Sequence, residues 1–126
     1  MQVSGLLRKM MSGIHFEQGN IVLASIPFTD LTEVKKRPVL VISNETYNST
    51  SDDIIVLAIT SNLSERNHTI RIDNDSLIWG ALPKASRIKA DHIIKISKQI
   101  IKKELSKVKS SVLLNAISEF KSVIDK

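Results

Sequence analysis

A chain of 126 residues with 42% hydrophobic content can build one well-packed domain and is too short for two. Its net charge of +5 favours a polyanionic partner, the absence of cysteine excludes disulfides and thiolate metal sites, and no apolar run reaches the ~20 residues of a membrane-spanning helix. The stretch 1–11 sets Arg8 and Lys9 beside Leu6 and Leu7 without the apolar core of a signal peptide, so a cytoplasmic location is expected.

A single domain is expected over 1–126, with an N-terminal extension at 1–17, a barrel at 18–108 and a helix at 109–126. Gly19 to Ile26 reads as a first strand, apolar on both faces and broken by Pro27-Phe28-Thr29-Asp30. Thr29 to Lys36 is polar and aperiodic, a loop leading into a strand at Pro38 to Ser43. Val39 to Ile42 is β-branched and apolar enough to be buried on both faces, and proline is tolerated at a strand's first position. Arg37 then sits at the mouth of a strand on rigid backbone. A guanidinium held that way presents several donors in a fixed plane, which suits phosphate oxygens. Asn44 to Asp53 is rich in Asn, Ser, Thr and Asp and predicts a second long loop. Ile54 to Ile59 predicts a further buried strand, ending in Thr60-Ser61-Asn62.

After a polar loop with Glu65, Arg66 and His68, the segment Thr69-Ile70-Arg71-Ile72 alternates cleanly and predicts a half-exposed strand at an edge or facing a groove. Asp73 to Ser76 is a turn, and Leu77 to Leu82 is an apolar piece broken by Gly80 and Pro83. Ser86 to Ile96 predicts one or two strands. Ile100 to Val108 fits either a last strand or a backward extension of the terminal helix. From Ser110 onward Leu113, Ala116, Ile117, Phe120 and Ile124 share one helical face, with Ser110 or Ser111 as cap. Short strands about ten residues apart predict a mainly β fold, a small barrel or sandwich, closed by a C-terminal helix. His15, His68 and His92 lack metal-ligand spacing and read as surface or turn histidines.

Three segments together resemble the MazF/PemK (Kid) family of toxin endoribonucleases from toxin–antitoxin pairs, over roughly residues 18–125. They are Gly19-Asn20-Ile21-Val22-Leu23 followed by Pro27-Phe28-Thr29-Asp30, where the family usually has Gly-Asp or Gly-Glu; Lys36-Arg37-Pro38-Val39-Leu40-Val41-Ile42-Ser43; and Ala58-Ile59-Thr60-Ser61. The resemblance implies a small SH3-like β-barrel with a terminal helix, a homodimer whose interface groove binds single-stranded RNA, and an acidic antitoxin that blocks the groove. It further implies an mRNA interferase that needs neither metal nor cofactor. In that chemistry the RNA's own 2′-hydroxyl attacks the adjacent phosphate, leaving a cyclic or 3′-phosphate and a 5′-hydroxyl.

Arg37 matches the family's catalytic arginine, Thr60 and Ser61 its hydroxyl pair, and Asp91 the acidic residue that some members place near the groove as base. Lys89 stands where those members carry arginine, with Arg87 close by, and Lys36, Arg66, Arg87 and Lys89 are the expected RNA-binding cations. Taken alone, Thr60 and Ser61 read as turn residues and Asp91 as a surface acid beside Arg87, Lys89 or Lys95. Two alternatives of other classes stand beside the nuclease. One is a non-catalytic toxin like CcdB, similar in fold, that acts on DNA gyrase; the other is a degenerate RNA-binding member without turnover, which the lysine at 89 keeps open.

Overall fold

The computed structural model describes residues 16–27 and 34–125, so the expected N-terminal extension, apart from Phe16 and Glu17, and positions 28–33 of the expected first loop lie outside the described residues. The described elements are strands β1 (Asn20–Pro27) and β2 (Val34–Val41), a short helix α1 (Glu45–Thr50), strands β3 (Asp53–Thr60), β4 (Thr69–Ile72), β5 (Leu77–Gly80), β6 (Ser86–Ser97) and β7 (Ile101–Val108), and helix α2 (Ser110–Ile124). The strands form one antiparallel sheet in the order β4-β6-β3-β2-β1-β7-β5, curled into a half-barrel. The expected mainly β fold with a terminal helix is the one observed.

The central strands carry unbroken apolar runs, at residues 21–24, 39–41 and 54–59, because both of their faces are covered there. One face carries Ile21, Leu40, Leu57, Ile59, Ile72 and Ile88, against which Ala116, Val112 and Leu113 of α2 pack. The opposite face carries Val22, Ala24, Val39, Val41, Ile54 and Val56, joined by Phe16, Ile96 and Ile101. Alternation along β2 therefore sends Val39 and Val41 one way and Leu40 the other, as a doubly covered strand requires.

Several local expectations are corrected. β2 begins at Val34, so Lys35 and Lys36 lie within the strand and not in a loop, and Arg37 lies inside it and not at its mouth. Their backbone ladder to β1 pairs Ser25 with Lys36 and Ala24 with Arg37, and that pairing needs no apolar side chain. Pro38 is mid-strand; the ladder to β3 starts only after it, at Val39, where an N–H is again available. Ser86 to Ser97 is one long strand and Ile101 to Val108 is the last strand, which settles both open readings. Neither Ser110 nor Ser111 caps α2. Lys109 occupies the cap without a side-chain bond, and its own N–H is held by the Ser76 carbonyl at 2.9 Å. Ile124 is 61% exposed and leaves the core stripe.

The expected loop at 44–53 contains α1, whose six residues could not hold a helix in isolation. The Asn44 side chain caps it by accepting from the Tyr47 N–H at 2.9 Å. Its anchor is Asn48, which is buried; its Nδ2 donates to the Phe16 carbonyl at 3.1 Å and the Ser43 carbonyl at 2.9 Å, and its Oδ1 accepts from the Ser43 hydroxyl. Asn48→Ala would strand two buried carbonyls and a hydroxyl. We expect a loss of about 2–4 kcal/mol, read as a lower urea midpoint with unchanged slope. A midpoint within error of wild type would show that water replaces the amide.

At the other end of the sheet, Gly80 has φ +81°, and a Cβ there would meet the Leu105 carbonyl oxygen at 2.3 Å. The β5 backbone crosses β7 too closely for any side chain. Gly80→Ala should cost on the order of 2–4 kcal/mol from the left-handed backbone and the clash together, again read by urea unfolding.

Candidate active site

Because β2 carries Arg37 two positions before Val39, its side chain belongs to the face opposite α2. There the apolar layer thins out and opens into a cavity of about 360 Å³ lined by Ile26, Arg37, Pro38, Val39, Ala58, Ile59, Thr60, Lys89, His92 and Ile94. Arg37, Thr60 and Lys89 are half-buried, whereas His92 is exposed. The described lining thus holds two fixed cations, a hydroxyl and an imidazole on an apolar floor, and it includes no carboxylate. A phosphodiester fits that charge pattern. Cations beside apolar walls also act on a bound anion through a lower effective dielectric than surface cations do.

His92 reaches the cavity through a bulge. β6 pairs with β3 as Ile93 with Leu57 and then Lys89 with Ala58, so Ala90, Asp91 and His92 are extra residues on the β6 side. Bulges re-aim side chains and recur beside active sites. Here Ala90 is buried and its N–H is held by the His68 carbonyl at 2.9 Å, while Asp91 and His92 protrude. Asp91 does not line the cavity, and its side chain forms no hydrogen bond or ion pair with a described residue.

The two expected hydroxyls separate. Thr60 faces the cavity, and its Oγ1 also accepts from the Asn62 N–H at 3.2 Å. Ser61, one position on, lies in a second depression of about 290 Å³ with Lys35, Lys36, Pro83, Lys84 and Ser86. Arg37 and Pro38 border both, so the arginine stands at the ridge between them. Of the expected RNA-binding cations, Lys89 joins Arg37 in the first cavity and Lys36 joins Ser61 in the second. Arg66 and Arg87 line a third, open depression with His68 and Thr69.

The sequence did not foretell the bulge, since three extra residues on one strand have no local signature. Nor did it give His68 a partner: its Nδ1 lies 2.9 Å from Glu119 Oε1 of α2, and its backbone is left-handed at φ +61°. Among the described residues no group of three His, Cys, Asp or Glu side chains is placed to hold a metal ion.

The model of the PemK-like, MazF-like toxins of type II toxin–antitoxin systems matches residues 17–124. A search of curated protein sequences gave no match. Among solved structures, a MazE–MazF crystal structure from Deinococcus radiodurans superposes with a TM-score of 0.72 at 16% identity, covering 88% of this chain and 97% of that one. The Mycobacterium tuberculosis toxin MazF-mt6 gives a TM-score of 0.66 at 20% identity, covering 84% and 96%. An endoribonuclease from a mycobacterial species gives 0.68 at 15%, covering 88% and 92%. At such identities these likenesses speak for the fold.

Proposed function

The chain belongs to the PemK-like, MazF-like toxin family of type II toxin–antitoxin systems, and from that premise we propose that it is an endoribonuclease that cuts single-stranded RNA without a metal ion. The observation that carries this reading is the placement of Arg37, held inside β2 at the wall of a cavity shared with Thr60, Lys89 and His92.

The reaction makes a bond from the 2′-oxygen to phosphorus and breaks the bond from phosphorus to the 5′-oxygen. The 2′-proton leaves to a base and the 5′-oxygen gains a proton, giving a 2′,3′-cyclic phosphate and a 5′-hydroxyl. Arg37 and Lys89 neutralise the charge that gathers on the non-bridging oxygens, and the Thr60 hydroxyl donates to one of them. Imidazole is the side chain best suited to proton transfer near neutrality, so the bulge supplies the base as His92. Asp91, expected in that role, stands beside it on the bulge and outside the cavity lining. Ser61 and Lys36 on the far side of the Arg37 ridge bind the strand as it passes from one depression to the other.

An acidic antitoxin would occupy the same cationic cavity, and a homodimer would extend it; both belong to this proposal. Incubation of the purified chain with long single-stranded RNA in excess EDTA should give discrete cuts ending in 5′-hydroxyls. Intact RNA beside an active control nuclease would turn the reading towards a toxin that binds its target and cleaves nothing.

A further inference from the structure

Arg37 is one end of a row that crosses the sheet at right angles to the strands. β2 and β3 pair Val39 with Ala58 as the last pair of their ladder, and just beyond it Arg37 and Thr60, each two positions on, line the same cavity. Thr60 pairs with Arg87 on β6, and Arg87 pairs with Arg71 on the edge strand β4. Partners in an antiparallel sheet project to one face at about 4.8 Å per strand, so Arg71 stands three spacings, about 14 Å, from Arg37. Beside this row runs a second, in which Ala58 pairs with Lys89 and Lys89 with Thr69.

Arg87 is pre-set for a ligand. Its Nε donates to Thr69 Oγ1 at 2.8 Å and its Nη2 to the Thr69 carbonyl at 3.5 Å, while the Thr69 hydroxyl donates to the Arg66 carbonyl at 2.7 Å. The rest of its planar set of N–H donors engages no described residue. Arg66, Arg71, Arg87 and Lys89 form no ion pair with a described residue, and Arg71 is exposed. Of the carboxylates near by, Glu119 is taken by His68, and Glu65 borders the depression of Arg66 and Arg87 without an ion pair to either. A charged residue on an edge strand also guards against edge-to-edge pairing. Guarding alone gives no reason for the alignment of Arg71 with Arg87 and Arg37 in one register.

We propose that this row is the track of the RNA strand beyond the cleavage site. The chain runs from the Arg37 cavity across β3 and β6 to the β4 edge, with backbone phosphates seated on Arg87 and then Arg71. The track deepens the nuclease reading and rests on it for the identity of the strand, but its phosphate contacts are measurable by binding alone.

The test uses the full chain and two fluorescent 2′-O-methyl oligoribonucleotides, which bind and cannot be cut. One is long enough to reach the β4 edge, and the other is trimmed to the nucleotides flanking the scissile bond. For the long probe, Arg71→Ala should flatten the plot of log affinity against log salt by about 0.7, the value of one lost phosphate contact on a single strand. Arg71→Lys should restore the slope, and neither variant should change binding of the short probe. Lys121→Ala, on exposed α2, should leave both probes unchanged. An unaltered slope for Arg71→Ala, an equal loss on both probes, or an equal loss in Lys121→Ala would overturn the track. Arg71 is exposed on a four-residue edge strand, and Arg71→Gln provides a second charge-free variant if alanine unfolds the chain. Salt slopes as expected from a wild-type chain that cleaves nothing would keep the track and sink the nuclease; cleavage with unaltered slopes would do the reverse.

Discussion

Arg37→Ala should lower RNA cleavage by 10²- to 10³-fold, the range seen when a pre-set donor to developing negative charge is removed. The loss should fall mainly on kcat. The arginine's value lies in charge that the phosphorane carries and the ground-state phosphodiester lacks, and only such differential contacts speed the chemical step. Arg37→Lys should recover part of the rate, because it keeps the charge and loses the planar fork. The fold should survive, since the ladder of β2 to β1 is made by backbone groups and Arg37 stands where the apolar layer has already ended. A folded Arg37→Ala chain that retains activity within tenfold of wild type would remove the cavity from the mechanism.

The second large effect concerns the base. His92→Ala should lower kcat by on the order of 10²- to 10⁴-fold, whereas Asp91→Asn should cost less than tenfold. The distinction comes from the bulge, which brings His92 to the cavity lining and leaves Asp91 outside it. Single-turnover assays on both variants decide the matter, and the reverse order of effects would return the proton transfer to Asp91.

The parts of the fold that were legible in the sequence are those in which side-chain burial and backbone geometry say the same thing. Val39 to Ile42 is apolar without interruption because both faces of β2 are covered, and Thr69 to Ile72 alternates because β4 has one face on the core and one outside. Where backbone pairing alone holds an element, the residues are silent. Lys35 and Lys36 extend β2 through their ladder to β1 with charged side chains, so they read as loop. Residues 45–50 are helical because Asn48 reaches Phe16, far off in the chain, a tertiary bond that no local pattern encodes.

The candidate site divides along the same line. Arg37 stood out from its place before a proline and a buried strand, but the company it keeps depends on register. Thr60 and Ser61 are adjacent in sequence and occupy different depressions, because Thr60 is the last residue of β3 and Ser61 lies past its end, where the chain turns. The asparagine at position 20, where relatives usually carry an acid, also gains a meaning: its Oδ1 accepts from the Glu17 N–H at 2.7 Å, and its Nδ2 donates to the Ser106 carbonyl at 3.4 Å. A carboxylate could make only the first of these bonds.

β1 lies inside the sheet, bonded on one side to β2, the next strand in the chain, and on the other to β7, where Asn20 pairs with Lys107. Closing that contact brings together residues far apart in the sequence, and such non-local pairing is slow to form. During synthesis β1 therefore waits, with one edge open, until β7 has cleared the ribosome. The strand beside the one that carries Arg37 is therefore fully paired only after most of the sheet has been made.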